Sequence, residues 1–181
     1  MMSLVISERA ACMNVLPVVG TIVITFELTC LVQAMLHRFI GHRRVIVAIF
    51  RRHTQSHHFL YSKLTFEQRA YREDEESVSH MMVPIAVLIA YAAYCLLPLP
   101  LFIVSSTTVL VTCLAHAYLH THFHLAESPL RRFGWFRRLK ALHCVHHVDQ
   151  STNFGVVTLV WDRVMGTFAP GALPSEPRGS A

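Results

Sequence analysis

Thirteen of the 181 residues are histidine, and most of them fall into four groups at metal-ligand spacing. They are His37-Arg38-Phe39-Ile40-Gly41-His42, His53-Thr54-Gln55-Ser56-His57-His58, His116-Ala117-Tyr118-Leu119-His120 and His143-Cys144-Val145-His146-His147. Neutral imidazole is a good donor to zinc, copper, iron and nickel. Residues three or four apart share a face of an α-helix. That spacing pairs His53 with His57, His116 with His120, and His143 with both His146 and His147. The five-residue gap from His37 to His42 suits a regular helix less well and predicts a chain that bends around its metal. Ten donors are too many for one ion. They fit two ions, with room left for oxygen or a bridging water, and no comparable carboxylate set accompanies them.

The third group is crowded, because His122 and His124 follow His120. Spacing allows either His116 with His120 or His120 with His124. The first pair lies inside an apolar helix, whose rigid backbone can preorganise ligands, and the second lies past the expected helix end. The expectation is therefore that His116 and His120 are ligands and that His122 and His124 are dispensable.

The elements that must carry these groups are apolar. Hydrophobic residues make up 53% of the chain and charged residues 15%, a balance that points to a membrane. One apolar block runs over residues 15–36, long enough to cross a bilayer. A second, over residues 81–119, is interrupted by Leu97-Pro98-Leu99-Pro100, which stops a helix. It reads as a hairpin with arms over residues 81–97 and 101–120, either two spans or one re-entrant pair. The expected fold is all-α and integral to a membrane, with about three transmembrane helices and a helical, histidine-rich cap.

Charge sets the expected orientation. Of the 16 Lys and Arg, eight lie in residues 37–80 and seven in 120–181, while the proline turn has none. The positive-inside rule then puts both histidine-bearing segments on the cytoplasmic face and the N-terminus outside. Arginine outnumbers lysine 14 to 2, as in proteins from GC-rich genomes, which favours a bacterial inner membrane over the endoplasmic reticulum. A metal transporter would place its ligands near the bilayer midplane; here they gather at one boundary. No nucleic-acid partner is expected.

The four groups, followed by Phe136-Arg137-Arg138-Leu139-Lys140, Asn153-Phe154-Gly155 and Trp161-Asp162-Arg163-Val164-Met165-Gly166-Thr167, resemble the fatty acid hydroxylase/sterol desaturase superfamily of membrane di-iron enzymes. The resemblance covers roughly residues 37–168. It implies that His37, His42, His53, His57, His58, His116, His120, His143, His146 and His147 hold two iron ions, which zinc could replace. It also implies O2 as co-substrate and hydroxylation or desaturation of a lipid-like substrate. A carotenoid hydroxylase of the same chemistry and a non-catalytic membrane metal-binding or transport protein are the alternatives. No fused cytochrome b5 signature occurs, so electrons are expected from a separate cytochrome b5-, ferredoxin- or rubredoxin-like carrier and its reductase.

Smaller expectations complete the reading. Asn153 and Asp162 could bond the ligand histidines from outside. Trp135 and Trp161 read as interface anchors. Cys12, Cys30, Cys95 and Cys113 read as buried packing residues, and Cys144 could sit beside the metal ligands. Glu27, an ionisable group within a span, reads as a carboxyl bonded to a neighbouring helix, with a polar contact to substrate as the alternative. The run Glu73-Asp74-Glu75-Glu76 reads as a solvated face. A single hydroxylase domain over residues 1–168 and a disordered tail over 169–181 are expected.

Overall fold

A computed structural model describes residues 15–72 and 78–171. The acidic run at 73–76, Cys12, Arg9 and nearly all of the expected tail lie outside them. Seven α-helices occur among the described residues: α1 Val15–Leu36, α2 Val47–Phe50, α3 His58–Leu60, α4 Val78–Leu96, α5 Leu99–Phe123, α6 Gly134–Val148 and α7 Val160–Val164. No strand occurs there; a single bridge joins Gln68 to Leu125.

Helix α1 covers the apolar block found in the sequence, and the proline turn separates α4 from α5 as expected. Pro98 leads into α5, and Pro100 sits in its first turn, where a missing N–H costs nothing. Two helical stretches, Val15–Gly41 and Leu99–Phe123, are long and apolar enough to cross a membrane, and the apolar part of α4, Met82–Leu96, is shorter. Helix α5 packs between α1 and α4. Large apolar side chains such as Leu16, Val87 and Leu114 point outward, each more than 60% exposed, as expected of helices that face lipid. Several hydroxyls inside the bundle are satisfied: those of Thr25 and Ser105 meet at 3.1 Å between α1 and α5, and Thr29 and Thr112 donate back to carbonyls one turn earlier.

The cap is built differently. Helix α1 continues into a π-helical turn, His37–Gly41, and α2 leads through a second π-helical stretch, Arg51–His57, into α3. Beneath the histidines a small core of Phe66, Leu119, Phe123, Phe136 and Val156 joins the end of α5 to α6. The Trp161 indole N–H donates to the Glu27 carbonyl at 2.9 Å. This residue, expected to anchor in the interface, instead ties α7 to the middle of α1. Trp135 is about half exposed.

Among the described residues four cysteines are free: Cys30 is buried, Cys113 and Cys144 are half-buried, and Cys95 is exposed. Cys95 thus departs from the expected burial, since it lies on the outer face of α4. Cys144 packs against the phenylalanine core rather than among the ligands. One Glu27 carboxylate oxygen is buried without a hydrogen-bond partner among the described residues, so the expected bond to a neighbouring helix is not seen.

Candidate metal centre

Two groups of five histidines stand side by side. His37, His42, His53, His58 and His146 form one; His57, His120, His124, His143 and His147 form the other. All ten are buried except His42, which is half-buried. Nine of the ten histidines singled out in the sequence are therefore gathered. His116 belongs to neither group, and His124 stands where it was expected.

This difference in grouping has a backbone cause. Helix α5 runs on to Phe123, and His124 keeps helical dihedrals as its cap. The His124 ring is therefore in register with His120, one turn later, rather than past a frayed end. A crossing chain then fixes it. The His124 carbonyl accepts from the Gln68 N–H at 2.8 Å, and its Nδ1–H donates to the Phe66 carbonyl at 3.1 Å. His116 stays one turn deeper, buried, with its ring 6.2 Å from that of His120. The signal available in the sequence for this pair is the second four-residue spacing, His120 to His124. His122 faces the other way, onto the Ser128 hydroxyl at 2.9 Å.

The first group owes its geometry to the π-helical turns. The His42 N–H donates to the His37 carbonyl at 3.2 Å, and the His58 N–H donates to the His53 carbonyl. Each bond spans five residues and so closes one wide turn between the two histidines it brings together. His53 and His57, expected on one face from their spacing of four, are sent to different groups for the same reason. In α6, which is regular, His143 and His147 stay together while His146 turns to the first group. Adjacent histidines thus serve opposite centres: His57 and His58, and again His146 and His147. Across the divide the rings of His58 and His147 stack at 4.1 Å.

The ring nitrogens show what such a site can hold. In the first group His53 Nε2 lies 2.8 Å from His37 Nε2, 3.2 Å from His42 Nε2 and 3.3 Å from His58 Nε2, and His42 and His146 Nε2 are 3.0 Å apart. Nδ1–H of His37 donates to the Phe154 carbonyl and that of His146 to the Thr152 carbonyl, both at 2.7 Å. These bonds consume the ring proton of a neutral His37 and His146, so the inward-facing Nε2 of each carries a lone pair. Lone pairs aimed at one another repel, and a cation among them removes the conflict. Donors about 2.1 Å from an ion and at right angles to each other lie about 3.0 Å apart, close to the separations observed. In the second group His143 Nε2 is 3.3 Å from His124 Nε2 and 3.2 Å from His147 Nε2. Neither nitrogen of the fully buried His57 has a hydrogen-bond partner among the described residues, a costly state without a ligand. The residues fit two metal ions.

Burial keeps these rings neutral. Loss of solvent, reinforced by neighbouring imidazoles, pushes His42 down to about 3. It holds His53, His57, His58, His124, His143, His146 and His147 well below the usual histidine range. A neutral nitrogen is the form a metal needs.

Asn153 and Asp162 do not touch a histidine, contrary to expectation. Asn153, in the left-handed region at φ 51°, donates to the Leu142 and Ala169 carbonyls and accepts from the Ala169 N–H. The Asp162 carboxylate accepts from the N–H groups of Phe154 at 2.7 Å and Gly155 at 2.8 Å, and from the Thr167 hydroxyl. Both residues hold the 152–155 loop, and that loop presents the carbonyls that orient His146 and His37. Gly155 is required in it, because a Cβ there would collide with the Thr158 carbonyl and the Asp162 carboxylate.

The fold and site together define a helical protein of membrane type with two buried histidine pockets suited to metal. The chain belongs to the fatty acid hydroxylase family, whose model matches residues 22–167. No curated protein and no solved structure matches it.

Proposed function

We propose that this protein is a membrane di-iron oxygenase that hydroxylates a hydrophobic, lipid-like substrate with O2, drawing electrons from a separate carrier protein. The observation that carries this reading is the pair of adjacent, buried five-histidine groups in a chain of the fatty acid hydroxylase family. Iron bound there would supply O2 activation and the power to attack an unactivated C–H bond. The chain's own contribution is position and dryness. The Phe154, Thr152 and Phe66 carbonyls take the outer ring protons of His37, His146 and His124, which fixes the tautomer and aims each Nε2 inward. The enclosing α6 and the phenylalanine core keep bulk water from the second group. Donors from four separate stretches of chain are held in place before any substrate arrives, so no reorganisation is needed at the moment of reaction.

The reading includes three membrane passes, counting α4, with the histidines on the cytoplasmic face, where a soluble electron carrier can dock. Its support is the distribution of Lys and Arg. A reporter fused to the C-terminus should read as cytoplasmic. Expression in a host with a matched reductase, followed by mass spectrometry of lipid extracts, tests the activity. Hydroxylation adds one oxygen atom, and desaturation removes two hydrogens. Extracts identical to those from a His146→Ala control would refute the reading.

A further inference from the structure

The chain between His42 and His53 joins two members of the first histidine group. It reads Arg43-Arg44-Val45-Ile46-Val47-Ala48-Ile49-Phe50-Arg51-Arg52, an apolar stretch with a pair of arginines at each end. Helix α2, within it, is wholly apolar yet has no buried residue. Val45 is 66% exposed, and Ile46 and Val47 are exposed beside it. Contiguous exposed apolar side chains of this kind mark a surface that something covers.

The charges around it identify the cover. No Asp or Glu occurs from residue 28 to residue 66, and none of the four arginines makes an ion pair among the described residues. Two of them lie over apolar rings instead: the Arg43 guanidinium is 4.9 Å from the centre of Phe39 and that of Arg44 is 5.4 Å from the centre of Phe50. Arginine laid against aromatic carbon, with its charge unneutralised, suits the boundary between hydrocarbon and phosphate. That boundary is near, because Arg43 follows Leu36, the last residue of α1, by only seven positions. An acidic protein partner would answer the charges but leave the apolar side chains between them without a role. A bilayer surface containing anionic lipid takes up both.

We infer that residues 43–52 lie in the membrane interface and bind the headgroups of anionic phospholipids, and that this contact braces the first histidine group. Val45 and its neighbours enter between the headgroups, and the arginine pairs on either side meet their phosphates. The segment is tied at one end to His42 and at the other to His53, whose Nε2 atoms are 3.2 Å apart. It cannot shift without disturbing that pair. No donor of the second group borders the segment, so lipid composition acts on one centre and spares the other. The inference rests on α1 crossing the membrane and on the first group holding an ion. It needs no turnover, so it stands or falls apart from the oxygenase reading.

The test uses the full-length protein carrying Val45→Trp, in nanodiscs of phosphatidylcholine and phosphatidylglycerol in equal parts. Bromine, which quenches a nearby indole, is placed on the acyl chains of one lipid or of the other. The parent protein supplies the background from Trp135 and Trp161. Quenching should be stronger with bromine on phosphatidylglycerol, and Arg44→Gln should weaken that preference by about fivefold. Metal content checks folding, and Val47→Trp takes the place of Val45→Trp if the latter does not fold. Quenching by neither lipid, or by both alike, overturns the inference. So does shielding of the indole by an acidic ferredoxin instead of by lipid, which would assign the surface to an electron carrier. Zinc-loaded parent protein is then challenged with a chelator. In discs without phosphatidylglycerol one of the two ions should leave several-fold faster, and release indifferent to the lipid overturns the bracing. Lipid preference and lipid-dependent release without any substrate oxidation would support this inference and defeat the oxygenase reading alone.

Discussion

The two histidine groups hold the same number of donors but are built on different helical periods. The second takes its pairs from regular α-helix, His120 with His124 and His143 with His147, each four residues apart. The first takes its pairs from π-helical turns, His37 with His42 and His53 with His58, each five apart and each closed by its own five-residue hydrogen bond. The outer supports differ too. The first group leans on the 152–155 loop through the Phe154 and Thr152 carbonyls. The second leans on the Phe66 carbonyl and, at 3.4 Å, the Tyr71 hydroxyl. Regular helix gives one face of ligands with little local cost. The wider turn buys a different splay, so neighbouring residues can serve two centres.

Several perturbations should separate these two constructions. The largest effect is expected from single donors. His124→Ala and His120→Ala should each take oxidation below detection and lower metal content from about two ions per chain toward one. His116→Ala should retain measurable activity. The reverse pattern, read by metal analysis and product formation, would return the third ligand pair to the register expected from helix ends. Deleting Ile40 should be nearly as severe. It converts the five-residue gap into four and swings His42 by about 100° on a regular helix. The first centre should lose its ion while the second keeps one, and retention of both would show that the π-turn is not what places His42.

A smaller effect is expected from the loop. Asp162→Asn removes an acceptor from the Phe154 and Gly155 N–H groups without touching a ligand. A fall in metal affinity or turnover of about 10–100-fold, confined to the first centre, is the expected result. Equal loss from both centres would mean that the loop supports the whole cap. The smallest is a pH effect on the metal-stripped protein. Its buried histidines stay neutral when folded and charge when unfolded, so the unfolded state binds more protons below their ordinary value of 6.5. Stability should be full above that value and fall progressively as pH drops through it. Thermal unfolding of chelated protein at a series of pH values measures this, and a flat profile would contradict the burial of the rings.

Much of this arrangement is legible in the residues, because the strongest signals are local. Apolar length sets α1, and Pro98 with Pro100 sets the hairpin. The histidine spacing reveals that two centres are needed. What spacing does not reveal is the helical period that reads it. His37-to-His42 looks awkward on an α-helix and fits one π-turn, and His53 with His57 looks like a pair and is not one. The position of His124 is not legible because a helix end depends on tertiary contact, here the crossing segment at Gln68, which no local pattern announces. Asp162 acts through backbone groups eight and seven residues earlier, a relation visible only once the loop is folded.

Helix α6 gives one histidine to the first group and two to the second, and it follows every other donor in the chain. As the protein leaves the ribosome, seven histidines are therefore made before either group can be completed. A nascent chain holds only fragments of each group, and the full donor sets exist only after the last helical segment has docked. Selection of any ion would thereby be deferred to the folded protein, where the enclosed sets of five, rather than early pairs, would decide what is kept.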